Sequence, residues 1–357
     1  MTIARWFGSM ALVASLAGCS SDPTPPGGDA ATSDVPGVDV PGVDVPVVLM
    51  DAPGSDTPAV DVPAVDTATA DSADVLMGPV GEVLARDQMI PFGIALDATH
   101  VYWTNQGDGT VHRMLKDGSA PELLATGGAL AVAVRGGFVY WTGNSNILSR
   151  KPVAGGTPQM LGQLMPTAVQ YSTFLSLTSQ YAVWGGGTQI GYVALDGTGQ
   201  RRLAPLPCNG CGANGLTADE THIYWVSRVG VQRGAFLATT VPQQLAPNGG
   251  FGIVLDADTA YWGSADLIRR VPRGGGTAST LAGSDGYSEF LALDATHVYW
   301  SEGGRSALVR RAPLAGGAAV VAAVATVGRP SRIALDATHV YWADPVGGTI
   351  ARAPKSP

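Results

Sequence analysis

Apolar and polar positions fall into one arrangement seven times between residues 78 and 357. In each unit a short apolar strand, a polar turn and a second apolar strand follow one another. The second strand ends in tryptophan, at Trp103, Trp141, Trp184, Trp225, Trp262, Trp300 and Trp342. Successive tryptophans stand 38, 43, 41, 37, 38 and 42 residues apart. A period near 40 with turn residues at fixed offsets belongs to propeller blades of four strands each. Helical repeats of that length would show a 3.6-residue apolar period, which is absent. The pattern therefore predicts an all-β fold, a seven-bladed β-propeller of four-stranded blades over 78–357.

Within a unit the elements follow directly. In the first, Phe92 to Leu96 reads as the inner strand, Asp97-Ala98-Thr99 as a turn, and His100 to Thr104 as the second strand. Thr110 to Leu115 reads as the third strand and Glu122 to Ala125 as the outer one. Asp and Thr can hydrogen-bond their own backbone, which explains why the turn is spelled so regularly. The Val-Tyr-Trp run places large groups on both sides of one strand. Only a strand covered on both faces tolerates that, and blades stacked around an axis provide the cover. Pro and Gly then end third strands, as in Val271 to Gly276 and Ala312 to Gly317.

The last unit stops after its third strand, at Ala351 to Pro354, while Gly81 to Arg86 (GEVLAR) resembles outer strands such as Pro121 to Thr126 (PELLAT). An N-terminal strand is thus expected to join the last blade and close the ring. The motifs VYWTN, VYWTG, VYWSE and VYWAD resemble the YWTD repeats of low-density-lipoprotein-receptor propellers and NHL-type bacterial propellers. Receptor YWTD propellers usually have six blades against the seven units here, so the resemblance implies shared architecture rather than a shared ligand.

The first residues, MTIARWFGSMALVASLAGC, carry one positive charge at Arg5, a short apolar run and then small residues. The run is well short of the roughly 20 residues a membrane-spanning helix needs, so 1–19 reads as a secretory signal. Leu16-Ala17-Gly18-Cys19 resembles the lipobox of bacterial lipoproteins. In that family Cys19 would become the lipid-modified first residue of the mature chain, and Ser20 in place of Asp would favour the outer membrane. An ordinary secretory signal with a chance cysteine is the alternative. The resemblance thus implies a bacterial outer-membrane location, anchored by lipid on the periplasmic or cell-surface side, and contact with the membrane through that anchor only.

Residues 20–77 are built of Asp, Pro, Val, Ala, Thr and Gly, with eleven Asp and no Lys or Arg. Such a segment cannot bury enough apolar area to offset its ordering entropy, so a disordered, extended tether is expected. Fully polyproline-like, about 55 residues would reach on the order of 170 Å. Calcium binding is the sharper alternative, but the Asp residues stand about five apart with no loop to converge them.

Charge changes meaning once the tether is set apart. The chain carries −8 overall, yet from Leu76 onward twenty Lys and Arg face eighteen Asp and Glu. The propeller is nearly neutral. Without a basic patch and interleaved aromatics, nucleic-acid binding has no support.

Chemistry is sparse. His100, His222, His297 and His339 occupy one repeat position, sit about a blade apart and cannot converge on a metal, which leaves only His112 as a singleton. Arg113, Arg150, Arg270, Arg311 and Arg352 recur on third strands, and Asp97, Asp256, Asp294 and Asp336 recur at the turn; repetition marks scaffold. Cys208 and Cys211 form CNGC between the third and fourth units, read as a small loop disulfide rather than a zinc or redox site. No metal site and no cofactor is expected.

What remains are non-repeated polar residues in the connections that crowd one mouth of a propeller channel. Hairpins between second and third strands supply Asn105, Asp108, Asn144, Arg228, Arg233, Asp266, Glu302, Arg305 and Asp344. Inter-blade turns add Tyr171, Asn214, Asp285, Tyr287, Glu289 and Arg332. These form a candidate ligand rim for an unknown protein or small ligand. The leading expectation is a lipid-anchored binding or scaffold protein. The alternative is a propeller enzyme similar to streptogramin lyases, which act through His and Glu near the channel with a divalent ion; this sequence places no singleton histidine in the mouth loops.

Overall fold

A computed structural model describes residues 78–164, 173–186, 188–203, 212–237, 241–303 and 307–355. The signal, the tether and the Cys208–Cys211 pair lie outside the described residues. Seven four-stranded antiparallel sheets form the blades of a ring. The first contains Pro91–Leu96, His100–Asn105, Thr110–Leu115 and Glu122–Ala125, within a residue or two of the sequence expectation.

The Val-Tyr-Trp run explains how blades hold one another. Side chains alternate along a strand, so Tyr and Trp leave opposite flanks. Tyr102 lies in one buried cluster with Trp141 of the second blade, while Trp103 lies in another with Tyr341 of the seventh. Each of seven such clusters joins two adjacent blades, and six of the tryptophans are almost wholly buried. The core is therefore a circle of blade interfaces.

The recurring third-strand arginines stitch the same interfaces. Arg113 donates to the Val153 carbonyl of the second blade at 2.8 Å, Arg270 to Leu314 of the sixth at 2.9 Å and Arg352 to Lys116 of the first at 2.6 Å. Arg150 reaches Leu195 of the third blade in the same way. In the third blade the corresponding residue is Tyr192, whose hydroxyl accepts from the Leu237 N–H of the fourth at 2.9 Å.

Ring closure joins the two ends of the described chain. The strand Glu82–Ala85 pairs antiparallel with Thr349–Pro354 and is the outer strand of the seventh blade. Just before it, Gly81 N–H donates to Val324 O at 2.8 Å and Val324 N–H to Pro79 O at 3.0 Å, tying the segment to the sixth blade as well. Gly81 is glycine for a packing reason, since a Cβ there would meet the Trp342 ring at 2.4 Å.

The recurring Asp turns use up their own polar groups. Asp97 Oδ1 accepts from the N–H of Thr99 and of His100, both at 2.7 Å, and its Oδ2 accepts from the Tyr102 hydroxyl at 2.7 Å. Asp336 repeats this with Thr338, His339 and Tyr341, and Lys116 of the neighbouring blade lies 3.1 Å away. Asp294 is met by Lys355 at 2.9 Å, and Asp219 pairs with Arg273. Burial works to raise these carboxyls, but the hydrogen bonds outweigh it and hold Asp97, Asp294 and Asp336 below the usual range.

A carboxyl with a lower pKa folded than unfolded adds stability above its unfolded value and loses it as pH falls through the folded one. The expected result is a melting temperature that drops steadily below about pH 4, where the unfolded carboxylates begin to take up protons. Asp336→Asn is expected to flatten part of that drop, which thermal melts across the acid range would measure.

Candidate functional site

Antiparallel order places the inter-blade connections and the hairpins between second and third strands at one end of the ring, around one channel mouth. The Asp turns lie at the other end, and with them His100, His222, His297 and His339, each beginning its second strand or standing beside it. His112 stacks on Trp103, with centroids 5.3 Å apart and planes 13° from parallel, and bonds Thr110 Oγ1 at 2.8 Å. None of the five histidines lines the channel cavity. Among the described residues, no group of three or more His, Cys, Asp or Glu is placed to hold a metal ion.

The rim residues divide into committed and open ones. Asn105 is buried and donates to Gln88 Oε1 at 3.1 Å, an oxygen that also accepts from Trp103 Nε1 at 2.8 Å. Asp344 is buried and accepts from the N–H of Val346 and Gly347 at 3.0 and 2.7 Å, capping its own hairpin. Glu302 is buried 2.5 Å from Arg310 Nε and accepts from the Asp285 N–H at 3.3 Å, while Arg310 also pairs with Asp285. Asp108 holds its turn through Thr110.

Asn144, Arg228, Asp266 and Tyr287 stand exposed on the mouth face. Glu289 keeps an exposed flank, yet its carboxyl is crowded: Oε1 would lie 2.6 Å from a Cβ on Gly303. Burial pushes that carboxyl up, and the charge of Arg329 works in the other direction. Arg305 lies outside the described residues.

Arg332 stands apart from the rest. It immediately precedes the inner strand Ile333–Leu335 of the seventh blade and donates across the channel to the Thr173 carbonyl of the third. The rings of Phe290, Phe92 and Phe174 surround its guanidinium, with centroids 4.5, 4.9 and 5.1 Å from Cζ. Phe92 and Phe290 also meet edge to face at 6.1 Å. Sequence reasoning put Arg332 on the rim but missed the three rings, because phenylalanines in or near inner strands read as ordinary core.

A signal was available in register. The residue before the one paired with each Trp is Gly93, Ala131, Phe174, Gly215, Gly252, Phe290 and Arg332 in blade order. Four blades carry a small residue where three carry a large one. The small residues leave a cavity of about 200 Å³, bounded by Gly215, Gly252, Phe174, Phe290 and Arg332 among others.

No family model matches the chain, and no curated protein matches it. Solved structures do. The chain is similar to virginiamycin B lyase from Staphylococcus aureus, with a TM-score of 0.66 and 16% identity over 77% of this chain and 98% of that one. It is also similar to a chain in a structure of a mitotic checkpoint complex (TM-score 0.61, 10% identity, 84% and 99% covered). A third likeness is to the computationally designed protein Ika8 (0.55, 12%, 78% and 100%). At such identities the likeness shows the fold, a seven-bladed propeller.

Proposed function

We propose that this protein is a lipid-anchored binding or scaffold protein of the bacterial outer membrane, which presents the channel mouth of its propeller to a protein or ligand. The observation that carries the reading is an asymmetry between the two faces. The Asp turns of one face saturate their own polar groups, and that face exposes Leu237 and Val241 in a single connection. The mouth face exposes Met89, Ile90, Val229, Tyr287, Val327 and Val346 beside Arg228 and Asp266. Exposed apolar side chains rimmed by charge are what recognition surfaces carry. The sequence adds a lipobox ending at Cys19 and an acidic tether that provides reach.

Affinity capture from envelope extracts, with the full chain as bait, is expected to enrich one partner. Arg228→Glu is expected to abolish that enrichment without shifting the melt, since the residue is exposed. Enrichment that survives the charge reversal would move recognition off this face.

A second reading, a propeller enzyme, draws on Glu289, a carboxyl raised by burial at the mouth and so suited to proton transfer. Virginiamycin B lyase has been solved as a catalytically inactive histidine-to-alanine variant with quinupristin. The present channel carries no histidine in its lining. Turnover of lactone or polysaccharide substrates that disappears in Glu289→Gln would favour this reading over the first.

A further inference from the structure

The geometry points to a binding site for a small organic carboxylate with an apolar body, held in the channel mouth by Arg332 within the ring of Phe92, Phe174 and Phe290. The inference rests on reading the mouth as the recognition face, and it names the chemistry that one part of that face would take.

The guanidinium has too few partners. Arg332 makes no ion pair among the described residues, and its Nε, shielded from solvent, has no hydrogen-bond acceptor. Among the described residues its one acceptor is the Thr173 carbonyl. The undescribed residues after Leu164 include no Asp or Glu. A ring face attracts the charge but is a poor hydrogen-bond acceptor, so the three phenylalanines offset the charge and leave N–H donors unused. Burial alone pushes the guanidinium down to about 9, which leaves it charged at neutral pH with no neighbouring charge acting on it. A carboxylate, like a phosphate, matches the planar fork of a guanidinium through two parallel N–H donors, and the surrounding phenylalanine rings favour the anion that carries an apolar body.

The cavity beside it fixes the rest of the ligand. Its walls are apolar at Ile94, Leu216 and Ile253, and polar at the hydroxyl-bearing Ser176 and Thr217 of the third and fourth blades. These blades stand across the ring from the seventh. A cavity of about 200 Å³ suits a single-ring or branched aliphatic acid, given that an apolar void of about 150 Å³ admits benzene. The glycines that open this space are also required by the chain. A Cβ at Gly215 would meet the backbone of Gly252 at 2.8 Å, and one at Gly252 would meet Glu289 O at 2.6 Å.

Calorimetric titration of the full chain with benzoate, benzamide and inorganic phosphate tests the inference. Benzoate is expected to bind saturably, with the neutral isostere benzamide and phosphate each at least about tenfold weaker, the scale of one charge-assisted contact. Arg332→Met is expected to lose benzoate by a similar factor. Thr217→Leu, which narrows the cavity without touching Arg332, provides a second loss should the first variant fail to fold.

Equal binding of benzamide would mean an apolar void with no role for the charge, and binding of phosphate alone would mean an inorganic anion site. Either result overturns the inference, as do undiminished binding in both variants and an absence of saturable benzoate binding. Partner capture that still depends on Arg228 in the face of such a result would leave the recognition face standing and remove only the carboxylate.

Discussion

A chain that begins after Arg86 is expected to melt at least about 10 °C below the full chain, whereas one that begins at Gly78 melts with it. Removal of Glu82–Ala85 strips the seventh blade of its outer strand and the hydrogen bonds to Thr349–Pro354. Val83 leaves the cluster shared by the sixth and seventh blades, and Leu84 and Ala85 leave the one shared by the seventh and first. Arg352 loses Glu82 at 3.0 Å, an exposed pair that contributes little by itself.

Partial burial of three apolar side chains and a few strand hydrogen bonds together contribute roughly 4–6 kcal/mol. For a domain of this size each kcal/mol moves the melt by about 2–4 °C. Loss of the strand also leaves Thr349–Pro354 as an unpaired edge, a template for association between chains. Concentration-dependent aggregation of the shortened chain alone is the accompanying sign. Identical melts for the two truncations would mean that the ring closes without this strand.

The parts legible in the sequence are those the chain repeats. The tryptophans recur in all seven units, and the Asp turns and third-strand arginines in most of them, because every blade meets the same two neighbours and one position carries one physical task from blade to blade. Alternation even announces which flank is which, since Tyr102 and Trp103 must leave opposite sides of their strand. What the sequence hides is reach. Nothing in the spacing of Arg113 shows that its guanidinium spans to Val153 O, 40 residues on.

The mouth is harder to read for the opposite reason, because it is built from departures. Asn105, Glu302 and Asp344 look like free polar groups in hairpins, yet all three are buried: Asn105 and Glu302 meet Gln88 and the Asp285 N–H from neighbouring connections, and Asp344 caps its own hairpin. Arg332 and its phenylalanines come from the first, third, sixth and seventh blades. The convergence of Phe174, Phe290 and Arg332 becomes visible in sequence only when the seven units are aligned on the Trp-paired residue and the exceptions to a small side chain are marked; Phe92, one residue before Gly93, stays hidden even then.

Trp300→Ala is expected to have one of the largest effects of any single substitution in the ring, about 3–5 kcal/mol, the range for truncating a buried Trp. Trp300 is fully buried where the fifth and sixth blades meet, packed with Tyr261, Ile268, Val298 and Ala312, and its Nε1 donates to Ser284 Oγ at 3.0 Å. The cavity left behind cannot collapse easily, because the two blades are held apart by strands on both sides and by Arg270 bridging to Leu314 O. Arg270→Ala at the same interface removes the hydrogen bond to Leu314 O and a longer one to Ser279 Oγ from a partly exposed side chain and is expected to cost about 1–2 kcal/mol. The contrast between the two melts separates packing from stitching as the source of stability. Since every blade depends on both flanks, an opening at one interface is expected to unfold the whole ring in one transition rather than release a single blade. A small shift in Trp300→Ala, comparable to that of Arg270→Ala, would place the stability of the ring in its hydrogen-bonded strands instead of its tryptophan-filled interfaces.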